Sequence, residues 1–262
     1  MAPTYLDEIV SWHRARVRED PRDWRARVDQ APYSGPSFAE ALRRPTVQVI
    51  AEVKRRSPSK GDIDRDLEPA TLARSYEVGG AAAISVLTDA AFFSGSPDDL
   101  RAVRRTTGLP LLRKDFTVHE NDILDARDMG AGAVLLIVSV LTDAELTAFL
   151  TLASHCGLDA LTEVHDEPEA RRAVACGATV IGVNQRDLRT FEVDERRAGR
   201  VRDVIPHSIV TVAESGLRSR ADVERARDDG FDAVLIGEAL VRSAAPELLV
   251  AELASVERRP RD

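Results

Sequence analysis

Glu52 and Lys54 close an apolar run, Val47-Gln48-Val49-Ile50-Ala51-Glu52-Val53-Lys54, and they stand two residues apart. On a strand that spacing sends both side chains from the same face. A carboxylate and an ammonium buried together lose solvation that aliphatic side chains would not, so stability alone does not ask for them. Taken alone the pair also fits a structural ion pair. What argues for chemistry is that other apolar runs end the same way: Lys114 closes Pro110–Lys114, Glu163 lies near the end of Asp159–Val164, Asn184 closes Val180–Asn184, and Glu214 closes Ile209–Glu214. By parity Leu161 shares a face with Glu163, Gly182 with Asn184 and Val212 with Glu214, so each polar residue continues an inward row. Two ammonium groups and three carboxylates around one mouth can deliver and withdraw protons, the work of general acid–base catalysis.

A second feature follows the last two apolar runs. Ser215-Gly216 after Glu214, and Gly237-Glu238 after Ile236, place small residues where backbone N–H groups can approach an anion. With Ser57 and Lys54 they point to a phosphate monoester held at one side of the mouth. The segment Arg55–Asp64 is long and charged; with Pro58 and Gly61 it reads either as a lid over substrate or as a plain surface loop.

These residues need elements to hold them. Eight short apolar runs recur: Val47–Lys54, Ala82–Leu87, Pro110–Lys114, Ala133–Val138, Asp159–Val164, Val180–Asn184, Ile209–Glu214 and Ala233–Gly237. Helical segments lie between them. Thr142-Asp143-Ala144-Glu145 has the capping-box pattern ahead of Leu146, Phe149, Leu150 and Leu152, and Pro97-Asp98-Asp99 suits a first helical turn. Gly79, Gly130, Gly157, Gly177 and Gly230 are expected as left-handed helix ends. Strands nearly all apolar and alternating with helices imply parallel pairing covered on both faces. The closed solution is an α/β (β/α)8 barrel, whose usual length is about 250 residues, with active groups at the C-terminal strand ends. An open doubly wound sheet fits less well, because no Gly-x-Gly-x-x-Gly follows the first strand. Residues 1–262 read as one barrel domain. Within it, residues 1–46 form a helical extension packed on the barrel through Leu6, Ile9, Val10, His13 and Val17, behind a Thr4 cap.

Composition narrows the classes. The 262 residues are 44% hydrophobic and carry a net charge of −8, which supplies a core and argues against a nucleic-acid partner. Cys156 and Cys176 stand alone, which fits a reduced, cytoplasmic protein. No apolar run approaches the roughly 20 residues that span a bilayer, so no membrane partner is expected. The five histidines show no ligand spacing and no metal is assigned. Trp12, Trp24 and Tyr33 read as packing residues. The expected partner is a small phosphorylated substrate, with the chain a monomer or weak homo-oligomer.

The chain resembles the indole-3-glycerol phosphate synthase family from about Leu6 to Leu249. The resemblance rests on the stretch from Ile50 to Gly61, on Ser85–Asp89, on Leu112-Arg113-Lys114-Asp115-Phe116, on Thr162–Asp166, on Gly182–Leu188 and on Glu214-Ser215-Gly216. Gln185 and Ala213 depart from the family's commoner Asn and Ser, at positions without assigned chemistry. The resemblance implies conversion of 1-(2-carboxyphenylamino)-1-deoxyribulose 5-phosphate to indole-3-glycerol phosphate with loss of CO2 and water and no cofactor. It implies Lys114 as the acid on the ketone oxygen, and Glu163 and Lys54 as the acid and base of dehydration in an order left open. Glu52, Glu214 and Asn184 assist with Ser215, and Arg186 lies near the substrate carboxylate. Pro58, Phe93, Phe116 and Leu188 are chosen as the apolar wall for the aromatic ring. Two rivals stay open on the residues alone: a Schiff-base aldolase using Lys54 or Lys114, and a non-catalytic binder of a phosphorylated ligand.

Overall fold

A computed structural model describes residues 4–57, 61–186 and 195–259. Eight strands form the framework: β1 (Gln48–Val53), β2 (Ala83–Leu87), β3 (Leu111–Lys114), β4 (Ala133–Ile137), β5 (Asp159–Val164), β6 (Val180–Asn184), β7 (Val210–Glu214) and β8 (Ala233–Ile236). They pair in parallel, each with its sequence neighbour, and β1 pairs with β8 to close the barrel. The predicted runs match these strands to within a residue or so at each end. Val47, for example, lies just before the ladder and donates its N–H to the Val256 carbonyl at 2.8 Å. Thr46 bridges Glu257 beside it, so the seam between β1 and β8 continues into the tail.

The period of two splits every strand into two faces. Val49, Ala51 and Val53 belong to the core between sheet and helices. Ile50 points into the barrel with Ala83, Leu112, Leu135, Leu161, Val212 and Leu235. Register sets Asn184 beside Glu214, and Glu163 beside Gly182.

Helix starts follow the expected side-chain chemistry. Thr142 and Glu145 form a reciprocal capping box before the helix Asp143–His155, and Thr4 and Asp7 do the same before Tyr5–Arg18. One predicted helix end is corrected. Gly79 has a right-handed φ of −69°, and Gly80 makes the left-handed turn at φ 86°. Gly79 is small because a Cβ there would strike the Glu247 carbonyl and Val250.

Residues 5–46 contribute three helices, Tyr5–Arg18, Arg25–Val28 and Phe38–Ala41. In the first, Ile9 and His13 are buried as expected, with Leu6, Val10 and Val17 only half-buried. The arginines of this region do more than solvate it: Arg14 pairs with Glu145, Arg16 with Asp122, and both Arg22 and Arg27 with Asp125. Phe38 and Leu42 are fully buried in the same cluster as Ala83, Ala133, Val180, Val210 and Ala233, closing the end of the barrel where the strands begin. Of the aromatic residues read as packing, Trp24 and Tyr33 lie against the core. Trp12 is half in solvent and sets its ring edge-on to Phe92. Among the described residues no helix is long and apolar enough to cross a membrane.

After β1, two short described stretches pair with each other. Arg56–Ser57 and Gly61–Asp62 pair antiparallel, with Gly61 at φ 70°. Arg55 anchors its base through Asp99 and the Leu67 carbonyl.

Candidate active site

At the C-terminal end of the strands the inward rows turn from aliphatic to charged. Lys114 Nζ donates to Glu163 Oε2 at 3.0 Å and to Glu214 Oε2 at 2.7 Å, joining β3, β5 and β7 through one ammonium. Asn184 Nδ2 donates to the other oxygen of Glu163 at 3.1 Å. Lys54 forms a short ion pair with Glu52, whose backbone carbonyl accepts the buried Tyr76 hydroxyl at 3.1 Å. All three carboxylates are nearly inaccessible to solvent, and the two ammonium groups are only slightly exposed.

Two glycines make room for these charges. A Cβ at Gly182 would collide with Glu214 Oε1, and one at Gly237 would collide with Glu52 Oε1. Neither glycine has a positive φ, so space is what keeps them small. The sequence reading gave Gly237 a role toward phosphate; its place beside Glu52 is a second reason for it.

Burial and neighbours separate the protonation states. Burial works against a charged Lys114, but Glu214 and Glu163 outweigh it and hold the ammonium well above its ordinary range. Burial likewise opposes the Glu163 carboxylate, yet Lys114 overrides it and holds that carboxyl far below its usual value. Glu214 shifts the other way: burial raises it, Lys114 only partly corrects this, and the nearby Glu163 charge adds to the rise. Its Oε1 has no hydrogen-bond partner. Around Lys114, burial and charge thus push the two carboxyl groups apart, Glu163 down and Glu214 up.

All described candidates line one cavity. Around Glu52, Lys54, Lys114, Glu163, Asn184 and Glu214 stand Ser57, Arg186, Ser215, Gly216, Gly237 and Glu238, with Phe93 and Phe116 as an aromatic wall. Pro58 and Leu188 lie outside the described residues. Ser215 and Gly216 both have positive φ, 67° and 80°, so the chain makes a sharp turn after β7 at the rim of the cavity. A non-glycine residue there is uncommon and marks a constrained turn. Gly237 precedes the short helix Glu238–Val241. The Arg186 backbone N–H is tied to Asn184 Oδ1 at 3.0 Å, which sets the arginine at the rim.

Sequence reasoning passed over several residues. Leu135, Ile137, Leu235 and Arg218 also line the cavity. The first three follow from the parity already used for Glu163; Arg218 had no local signal. Nor did spacing announce that His13 Nε2 would sit 2.9 Å from Asp89 Oδ2 and 4.0 Å from Asp115 Oδ1. Those carboxylates are already engaged, Asp89 capping Phe92 and Phe93 and Asp115 accepting from Thr88 and Arg113. The cluster thus pins the N-terminal helix beneath the aromatic wall, with the His13 ring 5.2 Å from that of Phe116.

The family model described as indole-3-glycerol phosphate synthase matches residues 6–253, including every strand and every charged group above. The chain belongs to the indole-3-glycerol phosphate synthase family. Among its relatives, the indole-3-glycerol phosphate synthase of Rhodococcus opacus is 46% identical over 261 residues, 98% of this chain and 97% of that one. Indole-3-glycerol phosphate synthase 2 of Streptomyces coelicolor is 52% identical over 209 residues, covering 80% and 81% of the two chains. A solved structure titled thiamine phosphate pyrophosphorylase from Pyrococcus furiosus superposes with a TM-score of 0.60 at 17% identity, covering 81% of this chain and 95% of that one. That last likeness is one of fold alone.

Proposed function

We propose that the chain carries out the reaction of its family: ring closure, decarboxylation and dehydration of 1-(2-carboxyphenylamino)-1-deoxyribulose 5-phosphate to indole-3-glycerol phosphate, in tryptophan biosynthesis and without a cofactor. The observation that carries this reading is the single ammonium of Lys114 held between Glu163 and Glu214, 3.0 and 2.7 Å away. In the first step the aromatic carbon bearing the carboxylate attacks the ketone carbon. The ketone oxygen gains charge and becomes an alkoxide, a base strong enough to take a proton even from a lysine that two carboxylates retain. Lys114 supplies that proton. Loss of CO2 then returns an electron pair to the ring. In the last step the hydroxyl leaves as water and a ring proton is removed, work divided between Lys54 and Glu163. Each general acid or base contributes about 10²–10⁴ in rate.

The remaining residues bind and orient. Glu52 holds Lys54, and Glu214 and Asn184 hold Lys114 and Glu163 in place. Ser57, Ser215, Gly216, Gly237 and Glu238 form the phosphate side of the mouth, where backbone amides suit an anion. Arg186 pairs with the substrate carboxylate, and Phe93 and Phe116 flank the aromatic ring, with Pro58 and Leu188 proposed beside them. The protein works in the cytoplasm as a monomer or weak homo-oligomer. Both cysteines are free thiols, and Trp12, Val78 and Leu248 are the exposed large hydrophobics among the described residues. Purified protein should convert the arylamino sugar phosphate to a product with indole fluorescence, and its gene should rescue a tryptophan auxotroph lacking this step. Absence of both would overturn the reading.

A further inference from the structure

Behind Glu163, away from the cavity lining, stands a histidine that the acid–base set does not use. His165 follows Glu163 by two residues at the end of β5, and Asp166 then caps the helix Glu167–Ala175. That helix turns Glu169 back onto the ring: His165 Nδ1 lies 3.0 Å from Glu169 Oε2, and the His165 backbone N–H donates to the same oxygen at 2.8 Å. Two bonds to one oxygen fix the direction of the imidazole. Its other nitrogen, Nε2, is buried and makes no hydrogen bond, and Glu163 Oε1 is 3.4 Å from it. A small rotation of either side chain closes that gap.

The charges around Glu163 explain what a second cation would do there. Lys114 from β3 is shared between Glu163 and Glu214, and Glu52 from β1 adds negative charge nearby while pairing with Lys54. Asn184 from β6 donates a bond but no charge. Glu169, on the helix packed behind, has His165 as its ring partner. An imidazolium between Glu169 and Glu163 balances what one lysine cannot.

Resting on the reading of Glu163 as an acid–base group, we infer that His165 is a positioning residue for the reaction. Anchored by Glu169, it directs an Nε2–H at Glu163 and keeps that carboxylate ionised, so that Glu163 enters the cycle as the base that takes the ring proton. Lys54 is then the acid that protonates the leaving hydroxyl; as product departs, Glu163 gives up its proton and Lys54 regains one from solvent. Burial alone would favour a neutral imidazole, but the neighbouring carboxylates of Glu163 and Glu169 prevail and raise His165 to about 10, so the ring is charged at neutral pH.

The test is the pH profile of kcat/KM for His165→Gln and Glu169→Gln. Loss of an opposite charge this close raises a carboxyl group by about one pH unit or more, so the acid limb should move upward by about that much in His165→Gln. Glu169→Gln, which loosens the anchor, should move it less in the same direction. KM should change little in both, because neither side chain lines the cavity. Acid limbs that stay in place in both variants would overturn the inference, whatever happens to thermal stability. If His165→Gln does not fold, Glu169→Gln decides by the same criterion. Failure of the underlying reading looks different: Glu163→Gln would then retain near-wild-type kcat.

Discussion

The two ends of the barrel interior are made from the same inward-facing rows and finish in opposite chemistry. Where the strands begin, Ala83, Ala133, Val180, Val210 and Ala233 are small or β-branched, and Phe38 and Leu42 fill the space above them. At the far ends of two of these strands stand Asn184 and Glu214, joined there by Lys114 of β3 and Glu163 of β5. One end is dry and packed by a segment outside the barrel; the other is buried but charged, and its cavity stays open. The difference teaches that folding and catalysis draw on separate layers of one structure. Changes at one end should leave the other's property intact.

Lys114→Ala is the sharpest way to break that division. Its kcat should fall by about 10²–10⁴, with circular dichroism still that of the folded barrel. Near-wild-type turnover in the fluorescence assay would remove Lys114 from the mechanism. At the opposite end, Phe38→Ala should cost about 3–5 kcal/mol in denaturant unfolding, because a fully buried aromatic ring leaves a cavity. The molecules that remain folded should keep their kcat; a large loss of turnover would show that the ends are not independent. Gly182→Ala comes next, since its Cβ would push on the Glu214 carboxylate. Displacing an orienting group by a fraction of an ångström should lower kcat about tenfold with a smaller change in melting temperature. A further effect is one of pH. Folding raises His165 from 6.5 to about 10, so its stabilisation is full below pH 6.5 and disappears as pH rises through about 10. The melting-temperature gap between wild type and His165→Gln should be widest in mild acid and narrow towards pH 10; a gap that does not vary with pH would refute this.

Most of the framework was legible because its signals are local. Alternation within each strand gave the inward face, and the residue types at strand ends gave the cavity, so Glu163 and Glu214 could be placed together from parity alone. What escaped depends on contacts distant in sequence. Nothing near Phe38 says that it faces Ala133, and nothing near His13 announces Asp89, 76 residues on. The antiparallel pairing of Arg56–Ser57 with Gly61–Asp62 is too short for a periodic signal. His165 was overlooked for another reason: its partner Glu169 lies one helical turn away, so the pairing reads as ordinary surface patterning until the ring's Nε2 is found buried beside Glu163.

The seam of the barrel has a bearing on how the chain is made. Residues 45–47 are tied to residues 256–258 by the Val47 N–H on the Val256 carbonyl, at 2.8 Å, and by the Arg258 N–H on the Pro45 carbonyl, at 3.0 Å. These two stretches are far apart along the chain, Arg44 and Arg258 being 214 residues apart. The first strand must therefore wait, one edge unsatisfied, until the last strand has been made, and ring closure carries a large loop-entropy cost.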